Sequence, residues 1–347
     1  MSVVLLAREA MRCRFEIVLP DRTRTDAERR AAGEEALDEI ASWEDRLSAY
    51  RPGSDLYRLN AHASDSDVRV DARVIAFLER ARDLTAATGG AFDLTIGPLL
   101  QVWGIGGSAT RTDLPGQQEI DAARAVVGMA DVVSLDPSRS TAHFSRPGVR
   151  LDPGALGKGY ALDQAIDLLH ELGIGDALLH GGTSSVSARG DAPGGVRGWR
   201  VAVAHPLAAD APLAFVTLHD TALSVSALHP KAPAVGGRAW GHVIDPRSGR
   251  PVSANLLAAA VAPSATDAEA LSTALLVLGE AGAPELMARF PGANLLLVTR
   301  QAPGESAGIQ AFGPAWKLDT SMSAPTYGID EAGTGTLHQM LKPLREP

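Results

Sequence analysis

Leu151-Asp-Pro-Gly-Ala-Leu-Gly-Lys-Gly-Tyr-Ala-Leu-Asp-Gln164 is the stretch on which the reading of this chain turns. A short apolar lead at 149–151 runs into Gly154, Gly157 and Gly159, and a helical pattern follows at 160–172. Glycines let a backbone approach a ligand without interference from Cβ. The N–H groups that open a helix favour an anion, and Lys158 adds a positive charge at that point. The stretch therefore reads either as a phosphate cradle with an acid, Asp152, just upstream, or as a Gly-rich turn before an ordinary helix. Its spacing is neither GxGxxG nor GxxxxGK[ST], so it licenses neither a dinucleotide fold nor a P-loop.

Around this centre the chain reads as alternating strands and helices. Strands are expected at 2–6 and 11–19, the second from the alternation of Cys13, Phe15, Ile17 and Leu19. A helix at 25–48 carries Ala36, Leu37, Ile40, Trp43 and Leu47 on one face. A polar loop with an aromatic, Tyr50, runs from 48 to 60, and a further helix spans 72–88. Phe92 and Trp103 suit either the core at the start of a helix or a stack on a planar ring whose edge Asp93 and Thr95 would bind. After a loop at 105–118 come a short helix at 119–127 and strands at 131–135 and 141–145. Strands at 177–182, 185–189, 199–204 and 213–218 follow the Gly-rich stretch. A strand ends near His242 and Asp245 in a Pro-Arg-Ser-Gly turn, which suits a general base and its neighbour. A strand at 258–262 precedes a helix at 266–279, on which Glu269 and Thr273, four apart, share a face. Two hard oxygens with water and ligand phosphates suit Mg²⁺. A helix–strand pair at 283–300 ends the pattern.

Composition narrows the class. With 45% apolar and 21% charged residues the 347-residue chain can bury a large core. A net charge of −9 argues against a nucleic-acid binder that works by neutralising the backbone. One cysteine, Cys13, rules out an internal disulfide and is expected to be buried and inert. No signal peptide and no membrane-spanning run are read, so the expected location is the cytoplasm. No linker is sharp enough to cut the chain; residues 1–318 are expected to form one large domain and 319–347 a polar tail.

Six of these stretches, taken in order, resemble the ApbE family, flavin transferases that attach FMN from FAD to proteins. They are Met11 with its strand, Ser-Ala-Tyr-Arg-Pro-Gly-Ser-Asp-Leu-Tyr-Arg-Leu-Asn, Gly-Ala-Phe-Asp-Leu-Thr-Ile-Gly-Pro-Leu, Asp-Pro-Gly-Ala-Leu-Gly-Lys-Gly-Tyr-Ala-Leu-Asp, Gly-His-Val-Ile-Asp-Pro-Arg-Ser-Gly, and Ala-Leu-Ser-Thr-Ala-Leu-Leu-Val-Leu-Gly. The resemblance covers about residues 8–300. It implies an α+β fold of mixed sheets with flanking helices, T-fold-like, and Mg²⁺-dependent transfer of FMN to a Ser or Thr of an acceptor protein, with AMP released. It places Met11, Tyr50, Ala91, Phe92, Asp93, Asp152, Lys158 and Val243 at FAD. It places the Ala155 carbonyl, Glu269, Ser272 and Thr273 at the metal, and His242 at the base that activates the acceptor, with Lys158 beside the phosphates. Neither nucleic acid nor membrane insertion is implied.

Three positions depart from the family pattern. Glu269 stands where Asp is usual, Thr183 replaces the acid of Gly-Gly-Asp, and Val225-Ser226-Ala227 replaces Thr-Ser-Gly. Two alternatives therefore accompany the transferase: an FAD pyrophosphatase giving FMN and AMP, and a non-catalytic FAD-binding paralogue. Thr334-Gly335-Thr336 loosely resembles a flavin-accepting segment but fits a Gly/Thr-rich tail better.

Overall fold

The structure, a computed structural model, describes residues 2–20, 24–105, 111, 113–228, 241–300, 307–318 and 341–343. It separates into two compact units. The first contains 1–42, 158–227 and 255–347; the second contains 43–157 and 228–254. Each unit is assembled from separated stretches, which is why no linker composition marks a boundary.

The first unit is built on an eight-stranded sheet. Its strand order is Val4–Ala10, Cys13–Leu19, Ala177–Gly181, Ser185–Arg189, Thr221–Ala227, Asn255–Ala262, Asn294–Thr299 and Gly308–Phe312. All of these neighbours pair antiparallel. The first hairpin closes through Met11 and Arg12, whose φ of 48° and 61° are left-handed. That is the conformation a two-residue turn matched to strand twist demands, though glycine or asparagine usually supplies it. One face of the sheet meets a smaller sheet of Lys317–Leu318, Ala208–Leu218, Trp199–His205 and Leu341–Pro343. Between them lies an apolar cluster that includes Trp199, Val201, Val216, Leu223, Val225, Leu257, Ala259 and Leu296. Helix Ala265–Leu278 packs on the strands Thr221–Ala227 and Asn255–Ala262 and is buried on several sides. The alanines at 258, 260 and 262 are all buried, and their small side chains let a helix lie close to the sheet.

In the second unit the helices Asp55–His62, Ala72–Ala87, Gly97–Val102 and Gln117–Arg124 accompany a three-stranded sheet and the hairpin Ile244–Asp245/Arg250–Pro251. Trp43 and Phe77 lie in its core with ring centroids 6.5 Å apart. Leu99, Trp103, Ile120, Ala123 and Ile244 form a second apolar cluster.

The α+β class and most of the expected elements are present. The polar loop at 48–60 is shorter than read: Ser54 accepts from the Tyr57 N–H and caps a helix beginning at Asp55. Strand Thr221–Ala227 was not expected, because its Ser/Ala content carries little β signal. Within the expected tail, Leu341–Pro343 pair with Trp199–His205; Thr334–Thr336 lie outside the described residues.

Candidate active site

Lys158, the centre of the Gly-rich stretch, sits in the first turn of helix Gly157–Glu171. Its Nζ lies 3.0 Å from Glu269 Oε1, on helix Ala265–Leu278. Two features bring these helices together. Gly159 has room for no side chain, since a Cβ there would stand 2.5 Å from the Ala265 carbonyl oxygen. One turn on, Asp163 accepts from the N–H groups of Ala265 and Thr266 at 2.7 and 2.8 Å, and from the Thr266 hydroxyl. A carboxylate at a helix N-terminus satisfies amides that have no partner inside the helix. Burial nevertheless lifts Asp163 to about 6.

Glu269 is 3% exposed, in a helix whose other buried residues are mostly alanine and leucine, with Thr266 and Ser272 among them. Its Oε1 also accepts from the Ser185 hydroxyl at 2.5 Å. Its Oε2 is buried and has no hydrogen-bond partner among the described residues. Burial works against the charge on Lys158 but is outweighed by the Glu269 carboxylate, with a smaller contribution from Cys13, so the ammonium is held above its usual range. Cys13 itself is half-buried, not sealed in the core as expected: it is the first residue of its strand, next to the hairpin turn, with Gly182 against it.

A chain of hydroxyls adjoins Glu269. The Ser272 hydroxyl lies 3.1 Å from the Glu269 carbonyl of its own helix and 3.2 Å from the Ser224 hydroxyl. Ser226 lies 2.9 Å from Ser272 and 3.3 Å from Thr273. Ser226 thus faces the helix, while Val225, one residue back on the strand, packs into the apolar cluster on the other face. The hydroxyl missing at Val225 is therefore missing from the core side. Thr183 is exposed on the turn after Gly182, and Ala227 is half-buried.

No group of three or more His, Cys, Asp or Glu able to hold a metal occurs among the described residues. A partnerless, buried carboxylate oxygen does fit a hard cation that takes its remaining ligands from hydroxyls, carbonyls, water and phosphate. Glu269 supplies that oxygen, and Ser272 and Thr273 follow one turn on along the same helix.

In the second unit, Asp152 and the turn after it are internally bonded. The Asp152 carboxylate accepts from the Gly154 N–H at 2.9 Å, and the Leu156 and Gly157 N–H groups go to the Pro153 carbonyl. The amides of Gly154 and Gly157 are thus committed to the turn, and the cradle is narrower than the run of glycines suggests. Burial raises Asp152 above its ordinary value. Asn60 holds this stretch from behind, donating to the Leu151 carbonyl at 3.0 Å and accepting from its N–H at 2.7 Å. Nothing in the sequence singled Asn60 out, since its partner lies 91 residues on.

Asp93 is buried, which raises its pKa, and its oxygens accept from Thr95 and from the Met129 N–H. Thr95 in turn accepts from the Gly128 N–H at 2.9 Å. Both side chains serve the fold of this loop. Phe92 and Trp103 are 2% and 4% exposed, which leaves neither ring open for stacking, and Trp103 Nε1 donates to the Gly249 carbonyl. Ala91 is buried too. Tyr50 is 58% exposed. His242 and Val243 are half-buried just before the hairpin strand Ile244–Asp245. Asp245 accepts from the Arg247 guanidinium at 2.9 and 3.1 Å. Ala155 is half-buried in the turn before helix Gly157–Glu171, and Met11 is half-buried at its hairpin tip.

The sequence profile of the ApbE family matches residues 11–297. The chain belongs to the ApbE family. It is 31% identical over 280 residues to the FAD:protein FMN transferase of Escherichia coli K12, covering 80% of this chain and 79% of that one. It is 32% identical to the FAD:protein FMN transferase of Salmonella typhimurium, over 74% of each. Among solved structures, the ApbE protein of Thermotoga maritima superposes with a TM-score of 0.78 at 26% identity, over 89% of this chain and 96% of that one. The apo form of the flavinyl transferase ApbE of Pseudomonas stutzeri superposes with a TM-score of 0.76 at 28% identity, over 90% and 95%.

Proposed function

We propose that this chain is a flavin transferase: it moves FMN from FAD to a Ser or Thr hydroxyl of an acceptor protein and releases AMP. The observation that carries the reading is Glu269, a buried carboxylate with one oxygen held by Lys158 and Ser185 and the other without a partner. Lys158 and Ser185 satisfy one oxygen, but a buried carboxylate oxygen left without a partner is costly, and a bound cation would offset that cost.

The acceptor oxygen attacks the FMN-side phosphorus of FAD, and the bond from that phosphorus to the bridging oxygen breaks, so AMP leaves with that oxygen. His242 takes the proton from the acceptor hydroxyl. Lys158 places positive charge beside the phosphates as negative charge moves toward the leaving group. Glu269, Ser272 and Thr273, with the Ala155 carbonyl, would hold Mg²⁺, which when bound neutralises phosphate charge. The family resemblance assigns Tyr50, Met11, Ala91, Phe92, Asp93, Asp152 and Val243 to FAD; Tyr50 is exposed, and Asp93 and Phe92 act from within the core by shaping the loop.

AMP release from FAD, followed with and without an acceptor peptide and with EDTA in place of Mg²⁺, tests the reading. Metal-dependent release that needs the peptide supports transfer. Release without it would mean hydrolysis of FAD, and FAD binding without release would mean a non-catalytic paralogue. A His242→Ala variant as active as wild type would refute the base.

A further inference from the structure

We infer that Ser185 is a positioning residue that selects which oxygen of Glu269 is presented to the divalent cation, an inference that rests on the cation site proposed above. Ser185 opens strand Ser185–Arg189 and is 1% exposed. Its hydroxyl donates to Oε1 at 2.5 Å, and Lys158 Nζ reaches the same oxygen at 3.0 Å. Both donors converge on one oxygen and leave the other buried without a partner.

Lys158 alone cannot impose this choice. An ammonium on a flexible stem is a point charge that pairs with either carboxylate oxygen. A hydroxyl fixed on a buried strand has one place from which to donate, so the Ser185 bond fixes the rotation of the carboxylate. Hydrogen bonds to a ligating carboxylate from behind tune its metal affinity in this way.

The same geometry accounts for glutamate at position 269. Glu269 reaches from its helix to the strand that carries Ser185, and an aspartate, one methylene shorter, would draw its carboxylate back from that 2.5 Å contact. Ser185 and Glu269 thus form a matched pair, and the departure from aspartate is linked to a hydroxyl that no motif marks.

The test is Mn²⁺ binding to the full-length chain in the presence of FAD, followed by electron paramagnetic resonance, with thermal unfolding as a parallel readout. Ser185→Ala should weaken Mn²⁺ about tenfold or more while the unfolding transition stays cooperative, and Ser185→Thr, which keeps the hydroxyl, should recover most of the affinity. In a Glu269→Asp background Ser185→Ala should change nothing further, because the shorter acid no longer meets the hydroxyl. Mn²⁺ affinity unchanged in Ser185→Ala, or lowered equally in both backgrounds, would overturn the role of Ser185 and leave the cation site standing. Absence of Mn²⁺ binding to wild type would overturn both.

Discussion

Lys158→Met would strand the Glu269 carboxylate. The acid is 3% exposed and its ammonium partner is 3.0 Å away, so the variant leaves a buried charge without its counter-ion. Removing one partner of a buried pair costs about 3–5 kcal/mol. Two features place this case at the low end. The Lys158 side chain is 23% exposed, so water reaches the pair. The Ser185 hydroxyl remains on Oε1 and continues to stabilise the charge. The expected loss is about 3 kcal/mol. Glu269→Gln alone leaves Lys158 able to turn to solvent and should cost about 1 kcal/mol. The double variant replaces a charged pair by neutral groups, with the glutamine still able to accept from Ser185, and should cost about 1–2 kcal/mol, well short of the sum. Urea unfolding of the four proteins gives the coupling energy, expected at about 2 kcal/mol. A coupling below about 0.5 kcal/mol would show the pair to be a surface-like contact and refute the reasoning.

Gly159→Ala would put a Cβ 2.5 Å from a backbone carbonyl, forcing the helices Gly157–Glu171 and Ala265–Leu278 apart; thermal unfolding should register a loss of about 2–3 kcal/mol. Asn60→Ala removes the amide that pairs both backbone groups of the buried Leu151, and the same assay should show a loss of about 2–3 kcal/mol. Asp163 is raised to about 6 from an ordinary 3.8. Between those values the folded protein holds a proton that the unfolded chain has lost. Its contribution is therefore greatest below about pH 4 and falls as pH rises to about 6. Wild type should lose up to about 3 kcal/mol relative to Asp163→Asn across that range in urea titrations; a difference that is flat with pH would contradict the assignment.

Much of the architecture was legible because it rests on local periodicity. The alternation of Phe15, Ile17 and Leu19 forecast a strand with that face buried, and the buried face of helix Asp26–Leu47 followed from its apolar spacing. Helix Asp55–His62 escaped because eight residues show barely two turns of pattern; its signal was the Ser54 cap. The Gly-rich stretch announced a close approach but not its cause. Gly159 yields to the Ala265 carbonyl, a partner over a hundred residues on that no local spacing encodes. Ser272 was marked only by the family resemblance, whereas Glu269 and Thr273 were readable from their spacing on one helix face. Ser185, Ser224 and Ser226 were not, since serines on strands carry no period of their own and meet Glu269 and Ser272 only through sheet register. Phe92 and Asp93 were legible as a motif, and the core reading of Phe92 is the one the fold bears out, whereas the burial of Asp93 depends on the loop that covers it.

The most direct test of the account is the intact mass of an acceptor peptide after incubation with this protein, FAD and Mg²⁺, for wild type and Glu269→Ala. The account predicts that wild type adds one FMN to the peptide, that EDTA abolishes the addition, and that Glu269→Ala loses it while remaining folded. An acceptor of unchanged mass with wild type, or full flavinylation by Glu269→Ala, would contradict it.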